Sequence, residues 1–129
     1  MGLVKSPGGS IFPYYYKGGE IHCLKYGSYF NNTEAVIDIM QAEEKFILAQ
    51  GKRLKVWTDF YETALNDSLL HEFVESMLRI KDRVQKLAVV GPLRSRRAVE
   101  KYIKKDGRVG FPVQYFDDPE VAKTWLVHE

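Results

Sequence analysis

The stretch 56-VWTDFYETALNDSLL-70 passes from a β-prone run straight into a helix start, and its reading decides the fold. "RLKVWTDF" reads as a strand. "NDSLLHEFVESMLRIKDRV" reads as an amphipathic helix with Leu70, Phe73, Val74, Met77 and Val84 on one face. Asn66 is placed to cap that helix, and Asp67 in its first turn puts a negative charge where the helix dipole favours one. A strand leading into a helix through a short polar crossing is the repeating unit of an α/β protein.

The same unit recurs on both sides. Upstream, "NNTEAVIDIMQAEEKFILAQG" has Asn31 three residues before Glu34, the spacing of a capping box, and Gly51 as a left-handed terminator. Val36, Ile39, Met40, Phe46 and Ile47 recur at helical spacing. Downstream, "KLAVVG" is short, continuous and apolar, as a strand buried on both faces would be. Ser95 is expected to cap "RRAVEKYIKK", which Gly107 ends. The last round is "FPVQYFDD" followed by "PEVAKTWLVHE", with Asp118 at the cap and Pro119 at the first helical position.

Before all of these, Ile11–Lys17 and Glu20–Tyr26 are two β-prone runs around Gly18 and Gly19, an antiparallel hairpin. Pro13 has no amide to donate, so the first run belongs at a sheet edge. The expectation is a single α/β domain over 10–129, with an N-terminal hairpin, then βα units with mostly parallel strands and about four helices. Residues 1–9 are expected as a flexible terminus; the match of "MGLVKS" to an acylation pattern carries little information.

Composition narrows the function classes. With 129 residues, 45% of them hydrophobic, the chain can bury one substantial core. A formal net charge of +2 gives no reason to expect nucleic acid as a partner. The lone cysteine, Cys23, lies in the strand-like "IHCLKY" and fits a buried thiol in a reducing, cytoplasmic setting. No apolar run approaches the length of a membrane span.

Ligands of open parallel sheets bind beyond the carboxyl ends of the strands, which points to "YGSYFNN", "DFYETALND", "GPLRS" and "FDD". The candidate binding residues there are Asp59, Tyr61, Thr63, Asp67 and Ser68, together with Arg94, Arg96 and Arg97. Arginines at a helix N-terminus can grip a phosphate or carboxylate, and with Lys101, Lys104 and Lys105 they can equally form a solvated or partner-steering basic face. Asn66, Asp67 and Ser68 are also fully explained as a helix cap. Strand alternation places Phe12, Tyr14 and Tyr16 on one face, a candidate homodimer interface or apolar contact surface. His22, His71 and His128 show no metal-ligand spacing, no cofactor motif is present, and no nucleophile–base set can be assigned around Asp59 or Asp117, so no enzyme is expected.

The element order, with "VWTD", "LAVVG" and above all "VQYFDDPEVAKTWL", resembles the STAS fold of anti-sigma-factor antagonists and the cytoplasmic ends of sulfate transporters. The resemblance spans roughly residues 10 to 127 and is narrower to a stand-alone, anti-sigma-factor-antagonist-like branch of small bacterial proteins with a Sec14-type lipid-domain flavour. It implies a regulatory or interaction domain that binds a protein partner. Its lipid-domain side implies, as the alternative, a carrier of a small apolar or anionic ligand, lipid-like or nucleotide-like. In phosphorylatable members an Asp-Ser-Ser-Gly helix start carries the phosphate acceptor. Here "DSLL" stands in that place, with Leu69 at what looks like the acceptor position and Ser68 keeping a hydroxyl beside it.

Overall fold

In the computed structural model, which describes residues 2–128, β1 (Val4–Lys5) and β2 (Ile11–Phe12) form an antiparallel ribbon. Met1 and Glu129, the outer ends of the expected terminus and domain, lie outside the described residues. Pro13 then breaks the run expected to be continuous from Ile11 to Lys17. Beyond it β3 (Tyr14–Tyr16) turns through Lys17 and Gly18 into β4 (Gly19–Lys25), with Tyr16 opposite Gly19. Both turn residues have positive φ, as a two-residue hairpin loop requires. The turn thus falls one residue earlier than Gly18–Gly19 suggested.

Three βα rounds follow, then a closing one: α1 (Thr33–Leu48), β5 (Leu54–Asp59), α2 (Asp67–Arg79), β6 (Val84–Val90), α3 (Leu93–Asp106), β7 (Val113–Phe116) and α4 (Pro119–Val127). The main sheet has the order β3-β4-β5-β6-β7, antiparallel at β3–β4 and parallel thereafter. The fold is therefore α/β with a mixed, mostly parallel sheet and four helices, as expected. Each crossover steps one strand in the same direction. Because such crossovers are right-handed, α1, α2 and α3 share one face of the sheet. The α4 helix, which follows β7, covers the other face.

Two cores record this division. Leu24, Val56, Leu87 and Val89 pack with Val36, Met40, Phe73 and Val99 under the three helices. Ile21, Cys23, Trp57, Ala88 and Val90, one residue out of step on the same strands, pack with Ala122 and Leu126 of α4. The α4 helix has only 9 residues, too few to cover five strands, so part of this second face stays open.

Several local expectations are corrected. Asn32, not Asn31, caps α1, its side chain accepting from the amide of Ala35. Ser95 is not a cap; α3 begins at Leu93 after Pro92, with no capping side chain. Val84 leaves the predicted helix face, because α2 ends at Arg79 and a 3-10 turn over Lys81–Arg83 delivers Val84 to the start of β6. Asn66, Asp118 and Pro119 stand where the sequence put them, and Gly107 ends α3 in the left-handed conformation. Phe12, Tyr14 and Tyr16 do not share a face. Phe12 is 7% exposed in the core under the helices, whereas Tyr14 and Tyr16 pack on the α4 side.

Candidate functional site

The β4–α1 and β5–α2 loops continue the parallel sheet beyond its ordered strands. The amide of Tyr26 donates to the carbonyl of Asp59, Ser28 to Tyr61 and Phe30 to Glu62, and Ala64 donates back to Phe30. Thr63 closes the seam: its hydroxyl donates to the carbonyl of Tyr26 and accepts from the amide of Tyr29. Asn66 Nδ2 adds a bond to Thr33 Oγ1 at 2.8 Å. Ser28, Phe30 and Glu62 hold positive φ along this seam, a conformation costly for side-chain-bearing residues unless the surroundings fix it. Gly27 sits so close beneath that a Cβ there would meet the carbonyl of Tyr61 at 2.9 Å. These bonds join the two loops into one lip.

Against this lip lies a cleft of about 360 Å³, on the α4 side of the sheet beyond β5, β6 and β7. Trp57 and Val90 contribute to its lining, with Tyr61 and Pro92 from the loops after β5 and β6 and Pro119 from the start of α4. Asp59 and Asp117 are its charged residues. Trp57 is held by its indole N–H, which donates to the carbonyl of Pro119 at 3.3 Å and pins the start of α4 to the sheet. Burial pushes the carboxyl of Asp59 above the ordinary carboxylate range, partly offset by the amide of Tyr61 and the charge of Lys25.

A second cleft, of about 240 Å³, shares Trp57 and includes Tyr14, Cys23, Lys25 and Lys123. There Lys123 Nζ stands 5.1 Å from the ring of Tyr14 and 5.7 Å from that of Trp57, within cation–π range. Burial raises the thiol of Cys23 above its ordinary range.

The sequence-selected residues divide into three groups. Asp59 and Tyr61 line the cleft, while Thr63 is spent on the seam. Asp67 accepts a hydrogen bond from the hydroxyl of Tyr102 and so ties α2 to α3, and Ser68 is exposed beside it. Arg96 turns back to donate to the carbonyl of Gly91 at 2.8 Å, whereas Arg94 and Arg97 are exposed and form no ion pair among the described residues. Trp57, Val90, Pro92 and Pro119 were missed as site residues. The signal for Trp57 was the alternation Val56–Trp57–Thr58, which puts its indole opposite the helix-covered core, on the face that short α4 leaves open.

The rim also carries exposed apolar side chains: Phe30 at 61% and Tyr61 at 59% on two consecutive strand-end loops, and Leu93 at 49% at the start of α3. No group of three or more His, Cys, Asp or Glu among the described residues could hold a metal ion, and no helix is long and apolar enough to cross a membrane. No protein-family model, curated protein or solved structure matches this chain.

Proposed function

We propose that the chain is a STAS-like regulatory domain that works by binding a protein partner through the rim at the strand carboxyl ends, without turnover. The observation that carries this reading is the exposure of Phe30 and Tyr61 on two neighbouring loops and of Leu93 at the start of α3, together with Arg94 and Arg97, which form no ion pair among the described residues. Aromatic residues and arginine are the types that interfaces favour. The hydrogen-bonded seam keeps these two loops in place, so little ordering entropy is lost on docking.

The test compares capture from a lysate of the source organism by wild type, by a Tyr61→Ala, Arg94→Ala, Arg97→Ala rim variant and by Tyr15→Ala, an exposed ring elsewhere. The expected result is a protein held by wild type and by Tyr15→Ala but lost by the rim variant at unchanged thermal stability. Equal capture by all three overturns the reading.

A second reading, a carrier of a small ligand at the strand carboxyl ends, draws support from the cleft at Trp57. Asp59 and Asp117 disfavour the anionic version there. The homodimer expected from the aromatic strand has less to draw on, because Phe12 is in the core and Tyr14 and Tyr16 face α4, leaving Tyr15 as the exposed ring.

A further inference from the structure

The carboxylates with the deepest burial in this protein have cationic or imidazole partners. Glu43 faces His22 at 3.0 Å, Glu44 is held by two nitrogens of Arg79 at 2.7 and 2.9 Å, and half-buried Glu20 meets Lys52 at 2.9 Å. Asp59 breaks this pattern. It is half-buried at the end of the central strand, yet it forms no ion pair among the described residues, although Lys25 stands opposite it in register on β4. The cleft it lines receives a second carboxylate, Asp117, and neither lysine nor arginine.

We propose that this cleft binds an organic amine carried on an aromatic or apolar body, the ammonium meeting Asp59 and Asp117 and the apolar part lying against Trp57, Val90 and Pro119. A cation beside Asp59 supplies the charge partner that burial has left missing, and removing the pair from water strengthens their attraction. Trp57 and Tyr61 add ring faces that attract cations. A Ca²⁺ or Mg²⁺ ion fits less well, since it takes about six or more oxygen ligands and the wall here is largely apolar. This inference goes beyond the rim reading; the two share Tyr61, but the carboxylates that define this site, Asp59 and Asp117, take no part in the rim, and Arg94 and Arg97 take no part in the cleft.

The test is a titration series with one ring system and three charges: tryptamine, indole-3-ethanol and indole-3-acetate, followed by calorimetry and by the indole N–H resonance of Trp57. Tryptamine is expected to bind saturably and roughly tenfold or more tighter than the alcohol, with the acetate weakest. Asp59→Asn should bring tryptamine down to the level of the alcohol, and Asp117→Asn, at an exposed position, should move it the same way with the fold intact. An Arg94→Ala, Arg97→Ala variant should bind tryptamine as wild type does, which separates this site from the rim. Equal affinity for tryptamine and the alcohol, tryptamine binding unchanged in Asp59→Asn, or no saturable tryptamine binding overturns the proposal.

Discussion

Oε1 of Glu43 lies 3.0 Å from Nε2 of His22, and both side chains are fully buried. The other carboxylate oxygen accepts from the hydroxyl of Ser6 at 2.8 Å and the amide of Gly8 at 3.0 Å. One carboxylate on α1 therefore ties β4 and the N-terminal ribbon to the helical layer. Its removal leaves three polar groups without their partner, two of them in buried bonds. Glu43→Ala should cost about 3 kcal/mol or more, and Glu43→Gln, which keeps an acceptor, clearly less. Urea denaturation of both variants checks this; a Glu43→Ala loss below about 1 kcal/mol would show that the ribbon is held by other contacts.

Asn66 is a helix cap first. Its side-chain oxygen accepts from the amide of Leu69 at 2.9 Å, and its nitrogen donates to Thr33 across the seam. Asn66→Ala should lower stability by about 1 kcal/mol, a melting shift of about 3–5 °C, with no change in partner capture. Loss of capture at an unchanged melting temperature would make this position part of the binding surface instead.

These two residues mark how far the sequence is legible. The cap at Asn66, the Pro119 start of α4 and the strand–helix alternation are local, written in side chains within a few residues of the backbone they serve. The parallel order follows because short connections and right-handed crossovers leave few alternatives. Glu43 looked like one more charge on a helix, since its partners His22 and Ser6 stand 21 and 37 positions away. Phe12 and Tyr14 read as one alternating face because the change of pairing partner at Pro13, from β1 to β4, is a tertiary event. The cleft had no motif at all: Trp57, Val90 and Pro119 meet only once α4 folds back over the sheet.

Gly27 tests the rigidity of the lip. A methyl group there would stand 2.9 Å from the carbonyl of Tyr61 and 3.3 Å from Oδ2 of Asp59, and the nearest obstacle is backbone that cannot rotate away. Gly27→Ala should cost about 1–3 kcal/mol and disturb the cleft at Asp59. Gly110→Ala, where a Cβ meets nothing within 4 Å, is the matched control and should be nearly neutral. Equal denaturation midpoints for the two variants would mean that the loops separate freely.

Asp59 gives stability a distinct pH dependence. Its carboxyl is raised in the folded state, first by burial, so between its ordinary value of 3.8 and the folded one the native chain binds more proton than the unfolded chain. This group's contribution therefore falls as pH rises through that window, the reverse of a salt-bridged aspartate, and above it the ionised carboxylate is a net cost. Asp59→Asn removes that cost. At pH 7 the variant should melt at or above wild type, and the gap should close as pH drops through the carboxylate range. Melting curves across that range, run on both proteins in the same buffers, decide the matter. A variant less stable than wild type at pH 7 would mean that ionised Asp59 is anchored by the amide of Tyr61 more strongly than burial opposes it, and the carboxylate would then need no cation in the cleft.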